Sequence, residues 1–311
     1  MLICDSAYLP FASFVAWQVA VLSGPRDFDI VIVSHDELEL PRFLTELGVK
    51  TRQVPREARV DQFRAGRLPP ITYLRLFLPH IFAADYDRIF YLDSDLFFEG
   101  GDISRLLGID MKGAAIGGVR DVGVFRNLHV HELEFQILDL PPTPYLNAGV
   151  LLIDTPQYRK VGVLDRALTL SAEHPEAVRS QDQSLLNLAL NGDFAELHPG
   201  WNWMPNIGLA CVARYQPVMF RHFITSRKPY LAEGARHDHR FRAAYRNFFQ
   251  AYAPEWLELL PERTPPKSGF EVVPMFKRYV YQARYAARIN EYLARFEDEW
   301  TVIRLGPEGK T

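Results

Sequence analysis

Short apolar runs alternate along this chain with longer stretches in which apolar residues recur every three or four positions. A short apolar run between polar residues predicts a buried strand, and the longer spacing predicts an amphipathic helix. The runs predict strands at residues 2–4, 29–34, 50–54, 88–92, 114–119, 149–153, 193–197 and 218–223. The longer stretches predict helices at residues 10–22, 38–47, 71–82, 163–172 and 183–190, the third of them broken near Pro79. This alternation indicates an α/β fold with a mixed, mostly parallel central sheet and helices on both faces.

A proline-rich stretch, PERTPPKSG at residues 261–269, interrupts the alternation of strands and helices. Such a composition is typical of a linker. We therefore divide the chain into a first domain of residues 1–260, a linker of residues 261–274 and a helical tail of residues 275–311.

The pattern of basic and apolar residues at positions 275–296 of the tail predicts an amphipathic helix with one basic side. The basic side carries Lys277, Arg284, Arg288 and Arg295, the opposite side carries Met275, Tyr279, Ala286, Ile289 and Leu293, and Tyr281, Tyr285 and Tyr292 flank the basic side. Two interpretations stay open. Either the helix lies on an anionic membrane surface, or its apolar side packs on the first domain while its basic side faces water.

The composition narrows the classes of partner and compartment. The chain has 311 residues, of which 48% are hydrophobic, and this is ample for a core. A net charge of −3 argues against a general nucleic-acid binder. Cys4 and Cys211 offer neither a disulfide framework nor a cysteine metal cluster, which fits a reducing compartment. The apolar stretch at residues 9–22 is too short to span a membrane, and no secretion signal is recognisable. We expect a cytoplasmic protein, with any membrane contact peripheral at the inner face.

Two carboxylates follow the predicted strand at residues 88–92, whose last four residues are apolar. Alternate side chains of a strand point to the same side, so Asp93 and Asp95 can both reach one hard cation. Carboxylate oxygens suit Mg²⁺ or Mn²⁺. The same spacing occurs at residues 27/29 and 85/87, but only the pair at 93/95 follows an apolar strand, where α/β sheets bind ligands. Taken alone, the triplet is equally compatible with a solvated turn.

Six short motifs, read in order, resemble glycosyltransferase family 8. They are CDSAY at residues 4–8, ITYLRL at 71–76, FYLDSD at 90–95, LNAGVLLI at 146–153, QDQ at 181–183 and HFITSRKPY at 222–230. Members of this family are retaining enzymes of the GT-A fold, and they include bacterial lipopolysaccharide galactosyl- and glucosyltransferases and glycogenin. The chain departs from the family pattern at Ala7, Thr225 and Tyr230, where Asn, Gly and Trp are frequent.

The resemblance implies a role for each matching residue. Mn²⁺ or Mg²⁺ would be held by Asp93, Asp95 and His222. Lys228 would reach the diphosphate of a UDP-sugar, Asp5 would accept a hydrogen bond from the uracil ring, and Tyr8 would stack on that ring. Further contacts to the donor are implied for Ser94, Asn147, Ala148 and Gly149, and catalytic roles for Arg75, Asp182 and Gln183.

The resemblance therefore predicts metal-dependent, retaining transfer of galactose or glucose from a UDP-sugar to a saccharide or glycolipid, as in lipopolysaccharide biosynthesis. Two alternatives belong to other classes. One is a nucleotidyltransferase or UDP-sugar hydrolase on a similar fold, but no glycine-rich triphosphate loop follows the first predicted strand. The other is a non-catalytic sugar-nucleotide-binding module, which would have little need for three metal ligands.

Overall fold

A computed structural model describes residues 1–55, 63, 70–121, 132–204, 216–224, 228–231, 239–262, 280 and 287–306. Its strands are β1 (Leu2–Ile3), β2 (Ile30–Ser34), β3 (Val49–Gln53), β4 (Arg88–Leu92), β5 (Leu96–Phe98), β6 (Ile116–Arg120), β7 (Leu146–Asp154), β8 (Ala195–Leu197), β9 (Phe220–His222) and β10 (Val302–Arg304). Its helices are α1 (Leu9–Leu22), α2 (Arg42–Glu46), α3 (Leu74–Ile81), α4 (Ile103–Leu107), α5 (Leu133–Ile137), α6 (Thr155–Lys160), α7 (Val163–Glu173), α8 (Asp182–Leu190) and α9 (His239–Tyr252).

The central sheet has eight strands in the order β10-β8-β6-β7-β4-β1-β2-β3. Strands β3, β2, β1 and β4 are mutually parallel, and β6 is parallel to β8, whereas β7 and β10 run against their neighbours. A separate antiparallel pair joins β5 to β9. The antiparallel direction of β7 matters for function, because the start of β7 then lies beside the carboxyl ends of β4 and β6.

The core lies on both faces of the sheet because strand residues alternate between the faces. On β4, Ile89 and Tyr91 join the cluster that packs under α3, α7 and α8. Phe90 and Leu92 join the cluster that packs under α1 and α4. A third cluster is largely aromatic and connects α1 to α9. Its members include Phe14, Tyr245 and Phe248. These layers fix the carboxyl end of β4, where the two aspartates follow.

The structure confirms the predicted α/β class with its mostly parallel sheet, and it corrects several boundaries. Pro79 does not break the third helix; α3 runs through it to Ile81. The missing amide removes one hydrogen bond, but Leu74 and Leu78 are fully buried and keep this segment packed. Strand β7 begins at Leu146 rather than Gly149 because Leu146 pairs with Arg120 of β6. The sequence analysis did not predict β5, β10, α4, α5, α6 or α9.

The C-terminal segment at residues 287–306 packs against the sheet. Residues 287–293 are helical, and β10 pairs with β8 at the edge of the sheet, so part of the tail supplies a strand to the central sheet. Ile289, Tyr292 and Leu293 are buried, with the Tyr292 hydroxyl donating to Glu196. The sequence had placed Tyr292 beside the basic side of the helix, but the structure buries its side chain. The basic residues 277 and 284 lie outside the described residues.

Candidate active site

Strand β4 delivers two carboxylates, and β9 delivers an imidazole to the same point. Asp93 and Asp95 lie between β4 and β5, and the register of the small sheet puts Leu96 opposite His222. His222 Nε2 lies 3.2 Å from Asp95 Oδ1 and 3.7 Å from Asp93 Oδ2. One donor atom from each of the three residues lies within 4.8 Å of the other two. The three side chains that the sequence assigned to a cation are thus brought together.

Gly149 leaves the space that this convergence needs. Its carbonyl accepts from the Asp93 amide at 2.9 Å, so the two residues are neighbours across the strand pair. A Cβ at position 149 would lie 2.1 Å from His222 Cε1 and 2.8 Å from Asp93 Oδ2. Atoms cannot approach so closely, and a side chain here would displace the imidazole.

A hydrogen-bond network supports His222 from behind. Its Nδ1 lies 2.9 Å from Asn202 Oδ1, and Asn202 Nδ2 donates to Asn147 Oδ1 at 2.9 Å. Asn147 Nδ2 in turn donates to Asp121 Oδ2 at 2.9 Å and lies 3.2 Å from Gln183 Oε1. The Gln183 oxygen also accepts from the Ala148 amide, at 3.1 Å. Asn147, Ala148 and Gln183 therefore lie together at this end of β7.

Arg75 is the buried cation of the site. Its guanidinium lies 3.1 Å from Asp93 Oδ1 and 3.0 Å from Asp182 Oδ2, and it donates to the Ala148 carbonyl at 2.7 Å. It also stacks over the Tyr91 ring, with 4.6 Å to the ring centroid. Because two carboxylates face it, the pKa of Arg75 is raised even though burial acts against its charge.

Burial raises the pKa of Asp182 to about 6, although the positive charge of Arg75 acts in the opposite direction. Asp182 begins α8, directly after Gln181, whose φ of 51° is unusual for a residue with a side chain. Strained backbone of this kind often occurs at functional sites. The predicted catalytic set of Arg75, Asp182 and Gln183 therefore lines one side of the metal-ligand cluster.

Lys228 approaches the same cluster from the loop after β9. Its Nζ donates to Asp95 Oδ2 and to the Phe223 carbonyl. Two residues later, the Tyr230 ring stacks on Phe11 of α1, with centroids 4.0 Å apart. This buried aromatic contact fixes the loop that carries the ammonium group.

The residues after β1 lie at the same edge of the sheet. Asp5 caps the 3-10 turn Ser6–Tyr8, because its Oδ1 accepts from the Tyr8 amide at 2.9 Å. Tyr8 is 47% exposed, and burial together with the carboxylates of Asp95 and Asp5 raises its pKa. Ser94 is buried, with its hydroxyl 3.4 Å from the Ile3 carbonyl. A flat exposed ring beside acidic groups is available for stacking on a base.

The sequence analysis did not select three residues that contribute to the site: Asp121, Asn202 and Tyr91. Asp121 directly follows β6, so the strand-end rule that singled out Asp93 would have found it. The Tyr91 hydroxyl donates to Asp93 Oδ1 at 2.5 Å, and the alternation of β4 could have indicated this. Asn202 carries no comparable signal, since it lies between two buried tryptophans.

Comparison with known proteins gives a consistent result. A model of glycosyl transferase family 8 matches residues 1–234. The chain is 26% identical to the glycosyltransferase GlyF of Streptococcus pneumoniae over 318 residues, which cover 96% of this chain and 73% of GlyF. It is 30% identical to the lipopolysaccharide 1,2-glucosyltransferase of Escherichia coli over 121 residues, 39% of this chain and 34% of that enzyme.

A solved structure of the galactosyltransferase LgtC, in complex with donor and acceptor sugar analogues, has the same fold. The TM-score is 0.67 at 21% identity, and the match covers 83% of this chain and 99% of LgtC. The helices in the described part of this chain are all too short or too polar to traverse a bilayer.

Proposed function

This chain belongs to glycosyltransferase family 8, and from that premise we propose that it transfers galactose or glucose from a UDP-sugar to a hydroxyl group of a saccharide or glycolipid. The proposed reaction depends on a divalent cation and retains the anomeric configuration. The observation that carries the proposal is the convergence of Asp93, Asp95 and His222 around the space left by Gly149.

The donor set fits Mn²⁺ or Mg²⁺. Two carboxylates and one imidazole nitrogen are ligands that these ions accept. Asp95 Oδ1 is buried and accepts no well-aligned hydrogen bond from the described residues, and it faces His222 Nε2. A buried carboxylate oxygen in this position is stabilised by a cation. When bound, the ion would neutralise charge that develops on the departing diphosphate.

The chain's own residues account for the remaining steps of the proposal. Lys228, a compact positive charge beside Asp95, would bind a phosphate oxygen of the donor. Tyr8 would stack on uracil, and Asp5 would accept its N–H. Arg75 holds Asp93 and Asp182 in place, so the carboxylates face the donor in fixed directions.

Asn147, Ala148, Gly149 and Ser94 would contact the donor, and Asp182 or Gln183 would stabilise an oxocarbenium-like sugar. The sequence offers no obvious carboxylate pair for double displacement, so we propose reaction on a single face of the sugar. The acceptor hydroxyl would then lose its proton to the departing phosphate.

The lipopolysaccharide 1,2-glucosyltransferase and the galactosyltransferase LgtC, by their names, transfer glucose and galactose. This supports a hexose as the transferred group and a glycan or glycolipid as the acceptor.

A donor screen tests the proposal. The protein is incubated with UDP-glucose, UDP-galactose and other UDP-sugars, Mn²⁺ and a panel of saccharide acceptors, and both released UDP and product mass are measured. Transfer should require Mn²⁺ and stop on chelation. Release of UDP without any acceptor product would instead identify a hydrolase. Formation of UTP and sugar 1-phosphate when pyrophosphate is added to the UDP-sugar would identify a nucleotidyltransferase.

Asp95→Asn supplies the matching variant. We expect transfer to fall at least about 100-fold while the fold is retained, because one charged ligand is lost. Asp85→Asn is the control, since Asp85 has the same Asp-x-Asp spacing but lies in a partly exposed pair with Arg52. Metal-dependent transfer at the normal rate by Asp95→Asn would remove this residue from the mechanism.

A further inference from the structure

The hydrogen-bond network behind His222 begins at a group whose role is unambiguous, the backbone amide of Gly149. This N–H donates to Asn147 Oδ1 at 3.0 Å, so the atom it meets must be an oxygen. The other end of the Asn147 amide lies 2.9 Å from the Asp121 carboxylate, which requires a donor. Both contacts orient the Asn147 side chain in the same way.

The orientation of Asn147 determines that of Asn202. Asn147 Oδ1 can only accept, so the atom of Asn202 that lies 2.9 Å away must be Nδ2. Asn202 Oδ1 then faces His222 Nδ1, at 2.9 Å. Because an amide oxygen cannot donate, Nδ1 must carry the proton in this contact. In the neutral imidazole, the lone pair is then on Nε2, the nitrogen that faces Asp93 and Asp95.

We propose that Asn202 is a positioning residue that holds His222 in the Nδ1–H form and turns its Nε2 lone pair toward a divalent cation. The inference rests on the proposed role of His222 as a metal ligand. A second hydrogen bond of this kind fixes the ring and the tautomer of metal-binding histidines in general.

The surroundings of Asn202 suit this role. Asn202 is 1% exposed and His222 is 4% exposed, so water is excluded and cannot easily replace the amide oxygen. Backbone hydrogen bonds hold the segment after Asn202 against β9. The Trp203 amide donates to the Phe220 carbonyl, and the His222 amide donates to the Trp203 carbonyl. The neighbouring Trp201 is completely buried and donates its indole N–H to the Glu299 carbonyl.

Two substitutions separate the tautomer from packing. Asn202→Ala removes the acceptor for Nδ1–H. Asn202→Asp keeps an acceptor but loses the donor to Asn147, so it should lower the melting temperature while preserving the tautomer. Asn187→Ala is the matched control: Asn187 is also 1% exposed and bonds the backbone of Leu146, but it does not contact His222.

Two measurements on the intact chain test the inference. A ¹H–¹⁵N correlation spectrum of the metal-free protein reports which nitrogen of His222 carries the proton, and calorimetric titration with Mn²⁺ reports affinity. Wild type, Asn202→Asp and Asn187→Ala should all show Nδ1–H and similar Mn²⁺ affinity. Asn202→Ala should lose the Nδ1–H form and bind Mn²⁺ about 10- to 100-fold more weakly.

The inference is overturned if Asn202→Ala retains both the Nδ1–H signal and wild-type Mn²⁺ affinity. It is equally overturned if Asn202→Asp loses as much affinity as Asn202→Ala, because the acceptor would then not be the relevant property. If wild type itself binds no Mn²⁺, the proposed metal dependence fails, and the spectrum of the metal-free protein still decides what Asn202 does to the tautomer.

Discussion

Replacing Gly149 with alanine would test whether the gap beside β7 sets the geometry of the metal ligands. The added Cβ would lie 2.1 Å from His222 Cε1, whereas ordinary contacts begin at 3.4 Å. The imidazole would have to retreat by at least 1.3 Å, the difference between these two distances. The Asp93 carboxylate would also have to move, because its Oδ2 would lie only 2.8 Å from the new atom.

This displacement has two measurable consequences. Overpacking of a buried site typically costs about 1–3 kcal/mol, so the melting temperature should fall. A shift of about 1 Å in a positioned group can cost about 100-fold in rate. We therefore expect Gly149→Ala to lower both Mn²⁺ affinity, measured by calorimetry, and kcat, measured as UDP release in the presence of an acceptor, by about 100-fold.

Gly118 on the adjacent strand β6 provides a control with the same chemical change. A Cβ there would meet Leu151 Cδ2 and the Val150 carbonyl at 3.7 Å, which are ordinary contacts. Gly118→Ala should therefore leave Mn²⁺ affinity unchanged.

The second control places Gly149→Ala in a His222→Ala background. The loss of stability should be smaller there, because the missing imidazole leaves room for the methyl group. Equal losses in both backgrounds would refute the steric explanation, as would normal Mn²⁺ binding by Gly149→Ala itself.

Two further substitutions probe buried charges. Arg75→Met should lower the free energy of unfolding by about 3–5 kcal/mol, because Asp182 would lose the cation that compensates its burial; urea denaturation measures this, and an unchanged midpoint would contradict it. Glu196→Gln should destabilise the chain by about 3 kcal/mol, because two arginines and the Tyr292 hydroxyl converge on this fully buried carboxylate. Limited proteolysis should then cut residues 287–306 faster than in wild type, and an unchanged cleavage pattern would show that Glu196 does not anchor them.

The sequence predicted best where local pattern and burial agree. The bounds of β4 were predicted as observed, because the apolar run at residues 89–92 follows Arg88 directly and ends at Asp93. The start of β7 was missed, since Asn147 is typical of loops, and the pairing of Leu146 with Arg120 of β6 extends the strand across it. Strand β10 is three residues long and pairs with a strand more than 100 residues away, which no local pattern reveals.

The residues of the candidate site also divide into those that the local sequence indicates and those that it does not. Asp93 and Asp95 could be selected because their position at the end of an apolar strand is visible locally. His222 and Lys228 could be selected only through the family resemblance, because a single histidine or lysine after a strand is not informative. Asn202 could not be found, since its contact with Asn147 joins residues 55 positions apart and depends on how the chain folds between them.

The packing of the C-terminal segment bears on the two interpretations of the tail. Ile289 and Leu293, which the sequence assigned to the apolar side, are buried within the protein, so these two side chains are not available to a membrane. Glu196, on which Arg295 converges, also binds Arg120, whose neighbour Asp121 contacts Asn147 and Gln183.

Removing the whole tail would therefore disturb the sheet beside the active site as well as any membrane contact. A chain that ends near residue 266 lacks the tail. If it failed to bind liposomes, the cause could be either a missing membrane contact or a disturbed sheet. Substitution of Lys277 and Arg284 with glutamine in the full chain is the better test, because it keeps every residue of the described contacts, including Tyr292 and Arg295 on Glu196. If the tail binds an anionic membrane, this variant should bind liposomes more weakly than wild type, and equal binding would refute the membrane interpretation.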